Sequence, residues 1–373
     1  MWLLSDLGKV CTGFDYGIGA ESKEFDGVNR YIRITDIDDE TSLYNSNNIV
    51  SPTFIDDNCI VQENDILFAR TGASTGKTYL YNKEDQKLYF AGFLIRANVK
   101  EEFDSYFIYL QTKTQKYKNW ISIMSTRSGQ PGINAKEYQT YQISYPSYMN
   151  QLKISNFMRK IDKRIQTQSK IIEDLESLKK WFINHQFKQN ANATIGQFIE
   201  QTFERNKNNA VTRVLSVNNK YGFINQYEQF EDREVASDNK TNYKIVKLNN
   251  FAFNPARINV GSIAKLNNYK IGIVSPMYIC FKCINSQINS DYLAYYFLSN
   301  SFKNSLKQRL EGSVRQCIQF DALCNIKFLV PSLNEQNVFV NKIKLISEKL
   351  EKEKDILKLY KKQKAYLLQN MFI

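Results

Sequence analysis

Histidine is almost missing from this 373-residue chain: there is one, His185, near the end of a long charged stretch, where it reads as a packing or capping residue and not as a general base. Cysteine is sparse. The six that occur show no framework spacing and read as buried thiols in a reducing compartment. Only Cys280 and Cys283 form Cys-x-x-Cys, but "YICFKC" has the character of a strand, where residues three apart face opposite sides and cannot share a metal. Long apolar runs are lacking too. Ile271 to Val274 and Met277 to Phe281 fall far short of a bilayer span, and "MWLLSDLGKV" has neither the basic flank nor the apolar length of a signal peptide. A cytoplasmic protein with no membrane partner is expected.

Cofactor loops are also wanting. "ARTGASTGKTYLYN", residues 69–82, looks like a phosphate-cradling loop, yet Gly72 and Gly76 are separated by three residues where four are needed. Thr-Tyr-Leu-Tyr follows Lys77 and favours a strand over the helix such a loop must open. The Asn-Pro of "FNPAR" lacks the Pro-aromatic continuation with which adenine methyltransferases hold a flipped base. Asp15, Glu21 and Lys23 echo a nuclease metal site only as chance charged triplets do. No catalytic and no metal-binding residues are expected.

What is present is a globular composition, 43% hydrophobic and 13% aromatic, in a chain long enough for two or more domains. The net charge of +12 suggests a polyanionic partner, although residues 1–150 carry 15 basic against 19 acidic groups. Any binding of nucleic acid by that segment must use a local patch, because "DIDDE" at 36–40 repels phosphate.

The sequence is written twice, at an offset of 185 residues. "IVQENDILFARTGASTG" from Ile60 lies over "IVKLNNFAFNPARINVG" from Ile245, pairing Asn64 with Asn249, Phe68 with Phe253 and Gly76 with Gly261. "FDSYFIYLQ" resembles "NSDYLAYYFLSN" one residue out of that register, and from Tyr145 over Val330 the offset returns, with Pro146 over Pro331 and Gln151 over Gln336. Each copy starts with a mixed segment of short β-rich runs, turns at "GASTG" or "NVGS", and one clear helix, "DSYFIYLQTKTQKYKNWI" or "SDYLAYYFLSNSFKNSLKQRL". Each ends in a helix of nearly forty residues without Gly or Pro, roughly 55 Å long at 1.5 Å per residue. Apolar positions four and three apart (Met158, Ile161, Ile165, Ile172 and Leu175; Ile343, Ile346, Leu350, Leu357 and Tyr360) form a coiled-coil seam, with a polar rung at Gln168 and Glu353. The expected fold is α+β: two repeated mixed α/β domains separated by two long helices in an antiparallel coiled coil, with pseudo-twofold internal symmetry. The boundaries fall at 1–147, 148–189, 190–332 and 333–373.

With "DILFARTGASTGK" in the first segment, "FNPARINVGSI" in the second and a Pro-x-x-x-x-Gln entry to both helices, this layout resembles the specificity (S) subunit of Type I restriction-modification systems. The resemblance covers nearly the whole chain, which departs from the family in starting almost directly in its first domain. It implies that residues 1–147 and 190–332 are target recognition domains, each reading one half of a bipartite double-stranded DNA target. It also implies that the helices dock two modification methyltransferase subunits and set the spacing of the half-sites. Restriction (motor/nuclease) subunits complete some such systems. The chain itself would be a non-catalytic recognition subunit without a cofactor; S-adenosylmethionine, ATP and Mg2+ would belong to the partners. Rigidly spaced readers suit half-sites about one helical turn, ~34 Å, apart. Two other assignments fit the layout: the recognition subunit of a Type II-like enzyme, and a coiled-coil adaptor that binds protein.

Candidate DNA-binding residues are those of the first hairpin loop, Arg70, Thr71, Ser74, Thr75 and Lys77, where small residues admit a phosphate and the cations reach a phosphate or a base edge. Arg257 and Asn259 lie at the corresponding place. "STRSGQPGIN" supplies Arg127, Ser128 and Gln130, over Ser313, Arg315 and Gln316 of "EGSVRQCIQF"; arginine and glutamine are the bidentate readers of guanine and adenine. Arg205 and Lys207 in "TFERNKNN", and the Tyr16 and Lys23 region, are further basic candidates. In every case a plain turn or a solvated charge is the competing role.

Overall fold

The computed structural model describes residues 1–126, 132–188, 190–219, 221–226, 240–284, 286–310 and 317–372. The chain divides into two compact units, Met1–Gln168 with Ile356–Ile373, and Ser169–Asp355. Each unit therefore takes a part of both long helices.

The first unit contains strands β1 (Leu3–Asp6), β2 (Cys11–Tyr16), β3 (Asp65–Ala69), β4 (Thr78–Leu80), β5 (Leu94–Val99) and β6 (Gln142–Tyr145), and helices α1 (Ser105–Gln111), α2 (Gln115–Ser125), α3 (Ala135–Gln139) and the start of α4 (Tyr148–Gln186). The second contains β7 (Ala193–Thr194), β8 (Ile199–Thr202), β9 (Phe251–Phe253), β10 (Ile263–Lys265), β11 (Ile279–Cys283) and β12 (Lys327–Phe328), with α5 (Ser290–Leu298), α6 (Asn300–Leu310), α7 (Phe320–Cys324) and the start of α8 (Leu333–Asn370). A four-stranded antiparallel sheet of order β2-β5-β3-β4 in the first unit recurs as β8-β11-β9-β10 in the second. Phe68 opposes Thr78 in one and Phe253 opposes Ile263 in the other, an offset of 185 on both strands.

Both sheets are buried on both faces, and side chains alternate between two cores. Ile66, Phe68, Ile95 and Ala97 face the helices, while Leu67, Ala69 and Leu94 face the opposite core with Tyr31, Tyr79 and Phe90. Phe251, Phe253 and Phe281 do the former in the second unit, and Ala252 and Cys280 the latter. Cys283 packs against the helix-side core and Cys280 against the other, so the two thiols diverge as a strand requires. Burial pushes them up to about 11 and about 12, which leaves them protonated and unreactive.

The stretch expected to form one helix in each mixed segment forms two. Thr114 ends the first run and caps α2, its hydroxyl accepting the Tyr117 N–H at 3.3 Å. The buried Ser299 hydroxyl accepts the Phe302 N–H at 3.2 Å and opens α6 in the same way. The one-residue slip expected at the first of these helices is also misplaced. Asp104 caps α1 and Asn289 caps α5, 185 apart, and it is β5 and β11 that differ by one: Ile66 opposes Ala97, whereas Phe251 opposes Phe281.

A glutamine explains why the helix entries match. Gln151 Oε1 accepts the Asp104 N–H at 3.0 Å and its amide donates to Pro146 O at 3.0 Å; Gln336 repeats this with the Asn289 N–H at 2.8 Å and Pro331 O at 2.9 Å. Both glutamines are buried. The long helices pair within each unit along the expected seam. In the first unit Met158, Ile161 and Leu368 share a core and Lys364 lies 2.6 Å from Asp162. In the second, Lys354 meets Glu176 at 3.3 Å and Phe339 meets Phe187, so α8 runs antiparallel to α4. Gln168 and Glu353 are buried, as the polar rung requires. Among the described residues no helix is long and apolar enough to cross a membrane.

Two stability predictions follow from these contacts. Gln336→Leu should cost about 2–3 kcal/mol, because an N–H and a carbonyl lose their partner in a buried place; urea unfolding of the full chain measures it, and a loss near zero would mean that water replaces the amide. Gly76, at φ 88°, has no room for a Cβ, which would come 2.7 Å from Ile121, whereas a Cβ on Gly72, at φ 75°, would meet nothing within 4 Å among the described residues. Gly76→Ala should therefore cost about 2–4 kcal/mol and Gly72→Ala about 1 kcal/mol, compared by thermal melts.

Candidate nucleic-acid interface

The β3–β4 loop is a stack of turns that consumes its own amides. Gly76 N–H donates to Ala69 O (2.9 Å), Thr75 N–H and hydroxyl to Gly72 O (3.1 and 2.7 Å), and Lys77 N–H to Ser74 O (3.0 Å). Those three N–H groups are turned back into the loop, and β4 follows where a nucleotide loop would need a helix. Arg70 is held at three points. Its N–H donates to Phe93 O at 3.1 Å, its carbonyl accepts the Ile133 N–H at 2.9 Å, and its guanidinium lies 4.8 Å from the centre of the Tyr16 ring.

Through Ile133 two stretches that are sixty residues apart in sequence become one surface. Thr71 bridges Gly132, the Ala135 N–H donates to the Tyr16 hydroxyl at 3.2 Å, and the buried Tyr138 hydroxyl donates to Ala69 O at 2.7 Å. The segment leaving residue 131 is thus fastened to the root of the hairpin loop. Arg127, Ser128 and Gln130 themselves lie outside the described residues. Thr71, Ser74 and Thr75 are half-buried. Lys77 is largely covered: its side chain is 13% exposed and its Nζ lies 2.6 Å from Asp39, which is 93% exposed.

The second unit repeats the joint. Ile318 N–H donates to Pro255 O at 3.1 Å, 185 residues from the Ile133–Arg70 bond on both sides. Asn254 starts the β9–β10 loop with an Asx turn, Oδ1 accepting the Ala256 N–H at 3.0 Å, and Gly261 ends it in the left-handed region at φ 93°. Arg257 and Asn259 are exposed on this loop. Ser313, Arg315 and Gln316 lie outside the described residues. Arg205 and Lys207 are exposed elsewhere: Arg205 donates to Asn242 Oδ1 at 3.1 Å and bridges Lys244, on a strand pair separate from this hairpin. Lys23 is exposed on a short edge strand, Ser22–Glu24. His185 stacks on Trp181 with ring centres 4.9 Å apart.

Several exposed apolar residues around these loops escaped the sequence. Phe93 stands 63% exposed beside Arg70, and Val260 and Met277 are 55% and 62% exposed beside Asn254 and Arg257. The one available sign was a large side chain inside a turn, as in Ala91-Gly92-Phe93.

Residues 4–177 match the family described as Type I restriction modification DNA specificity domain. The Type I restriction enzyme MjaVIII specificity subunit of Methanocaldococcus jannaschii is 24% identical over 359 residues, covering 83% of this chain and 79% of that relative. A chain solved in work on complex assembly and conformational transition of the type I R-M system has a TM-score of 0.58 at 14% identity, over 98% of this chain and 96% of its own. The crystal structure of the Type I S subunit from M. genitalium has a TM-score of 0.58 at 15% identity, over 100% of this chain and 96% of its own. These two structures establish the shared fold; over residues 4–177 the chain is similar to the Type I restriction modification DNA specificity domain, and along most of its length to a specificity subunit.

Proposed function

We propose that the chain is the DNA-reading subunit of its system: it binds a bipartite, asymmetric target in duplex DNA, docks two modification methyltransferase subunits and performs no chemistry itself. The observation that carries this is the pairing of a repeated frame with unlike tips. The same backbone bond, Ile133 to Arg70 and Ile318 to Pro255, fastens the same two segments in each unit, yet the hairpin loops it supports differ, "RTGASTGK" against "PARINVGS". Backbone bonds tolerate any side chain, so such a frame can present two different words' worth of contacts.

Phosphate contacts would come from the loop cations, and base contacts from Arg70 and Arg257 and from Arg127, Gln130, Arg315 and Gln316. Docking is supported by exposed apolar pairs on α8, each seven residues apart: Val338 and Leu345 in the second unit, 47% and 65% exposed, and Leu359 and Tyr366 in the first, 62% and 66% exposed. A partner helix would cover such a face. S-adenosylmethionine would then sit in the methyltransferases, and ATP with Mg2+ in restriction subunits where these join.

Methylome sequencing of cells that express the chain with its methyltransferase subunits tests the assignment; two unlike words at fixed spacing are expected. Arg257→Ala should relax one word and spare the other, and an equal loss at both would count against independent readers. Four residues inserted after Lys170 add about 6 Å of helix, so the spacer should grow by one or two base pairs at about 3.4 Å each. An unchanged spacer would sink the role of the helices as a ruler. A protein-binding adaptor would instead show no affinity for duplex even at low salt.

A further inference from the structure

The acidic stretch 36–40 is not a diffuse negative patch, because each carboxylate has its own partner. Asp36 takes the Arg33 guanidinium at 2.8 Å on both oxygens. Asp38 builds a turn, its Oδ1 accepting the N–H groups of Glu40 (3.0 Å) and Thr41 (2.7 Å) and the Thr41 hydroxyl (2.8 Å). The Asp38–Leu43 and Ser42–Asp38 backbone bonds, both 2.9 Å, and a bridge between Ile37 and Tyr44 close the loop below it. The tip is therefore shaped without the side chains of its two outermost residues. Glu40 pairs with Lys361 on α8, and Asp39 with Lys77 of the hairpin loop.

The Lys77–Asp39 pair is lopsided. Little of the lysine is open to solvent, while Asp39 is almost fully open. With Asp39 so exposed the pair adds little to stability, and another anion can displace the carboxylate at small cost. We propose that Asp39 is a specificity-determining residue that competes with DNA phosphate for Lys77, so that duplex of the wrong sequence gains nothing from this cation. It rests on the DNA-reading function proposed above. Affinity from phosphate contacts is indifferent to sequence, so withholding one such contact lowers capture by arbitrary DNA more than it lowers binding to a target already held by base contacts. A carboxylate placed on the loop's own lysine is a repulsive element of that kind.

Binding of the full chain to a mixed-sequence duplex, and to a duplex carrying the words found by methylome sequencing, is measured by fluorescence anisotropy over a salt series. Asp39→Asn should raise affinity for the mixed duplex about two- to fivefold at low salt. It should steepen the slope of log K against log salt by about 0.9, the value for one more phosphate neutralised, and narrow the ratio between target and mixed duplex. Glu40→Gln, which changes net charge equally but faces Lys361, should leave the slope nearly unaltered. Adding Lys77→Met should cancel the gain of Asp39→Asn. An unaltered slope in Asp39→Asn, or a gain that survives Lys77→Met, overturns the competition while leaving DNA reading intact. Absence of duplex binding by the unmodified chain at low salt removes both.

Discussion

The buried carboxamides of Gln151 and Gln336 are the constraint on which the geometry of both halves depends. Each spans the N-cap residue of α1 or α5 and the carbonyl of the proline that opens α4 or α8. Apolar burial would hold a long helix against its domain but would not choose its direction, since that force is non-directional. Two hydrogen bonds to fixed backbone groups choose it. The surrounding supports differ: in the first unit the Tyr106 hydroxyl donates to Asp162, whereas in the second Lys265 and Lys344 both pair with Asp291. The glutamine is common to both.

Above that joint the two units keep their sheets and change their tips. Asn64 and Asn249 both sit in the left-handed region, at φ 70° and 67°, so the turn into the central strand is also preserved. The hairpin tips diverge where the backbone makes its own bonds. Three stacked turns fill the first hairpin loop, while an Asx turn and a short 3-10 turn, Ile258–Val260, fill the second.

Much of the fold was legible because it is carried by spacing. The offset of 185, the seam from Met158 to Leu175 and the polar rung at Gln168 and Glu353 are periodic and local, and all lie where the pattern put them. The break in each short helix was harder to see. Thr114 and Ser299 are single hydroxyls inside apolar runs, and only their hydrogen bonds to Tyr117 and Phe302 distinguish a cap from a surface residue. The likeness of Tyr106 to Tyr292 pulled the helix out of register, although the capping residues Asp104 and Asn289 sit in it. The candidate site was legible in part. The first hairpin loop and the segment after residue 126 stood out separately by composition, but their meeting through Arg70 and Ile133 is a tertiary bond that no local pattern encodes. For the same reason the acidic run seemed only repulsive: beyond the local Arg33, its partners Lys77 and Lys361 lie far along the chain.

The sharing of the helices inverts the order in which the protein can be completed. Ser169–Asp355 is one continuous stretch, but the first unit draws Ile356–Ile373 into itself, and Leu367, Leu368 and Phe372 pack in its core beside Trp2 and Phe107. During synthesis from the N-terminus the half made first must wait, with part of its apolar core uncovered, until the stretch from Ile356 onward emerges, while the half made second already has all its chain. The domain that opens the sequence is thus the last to close.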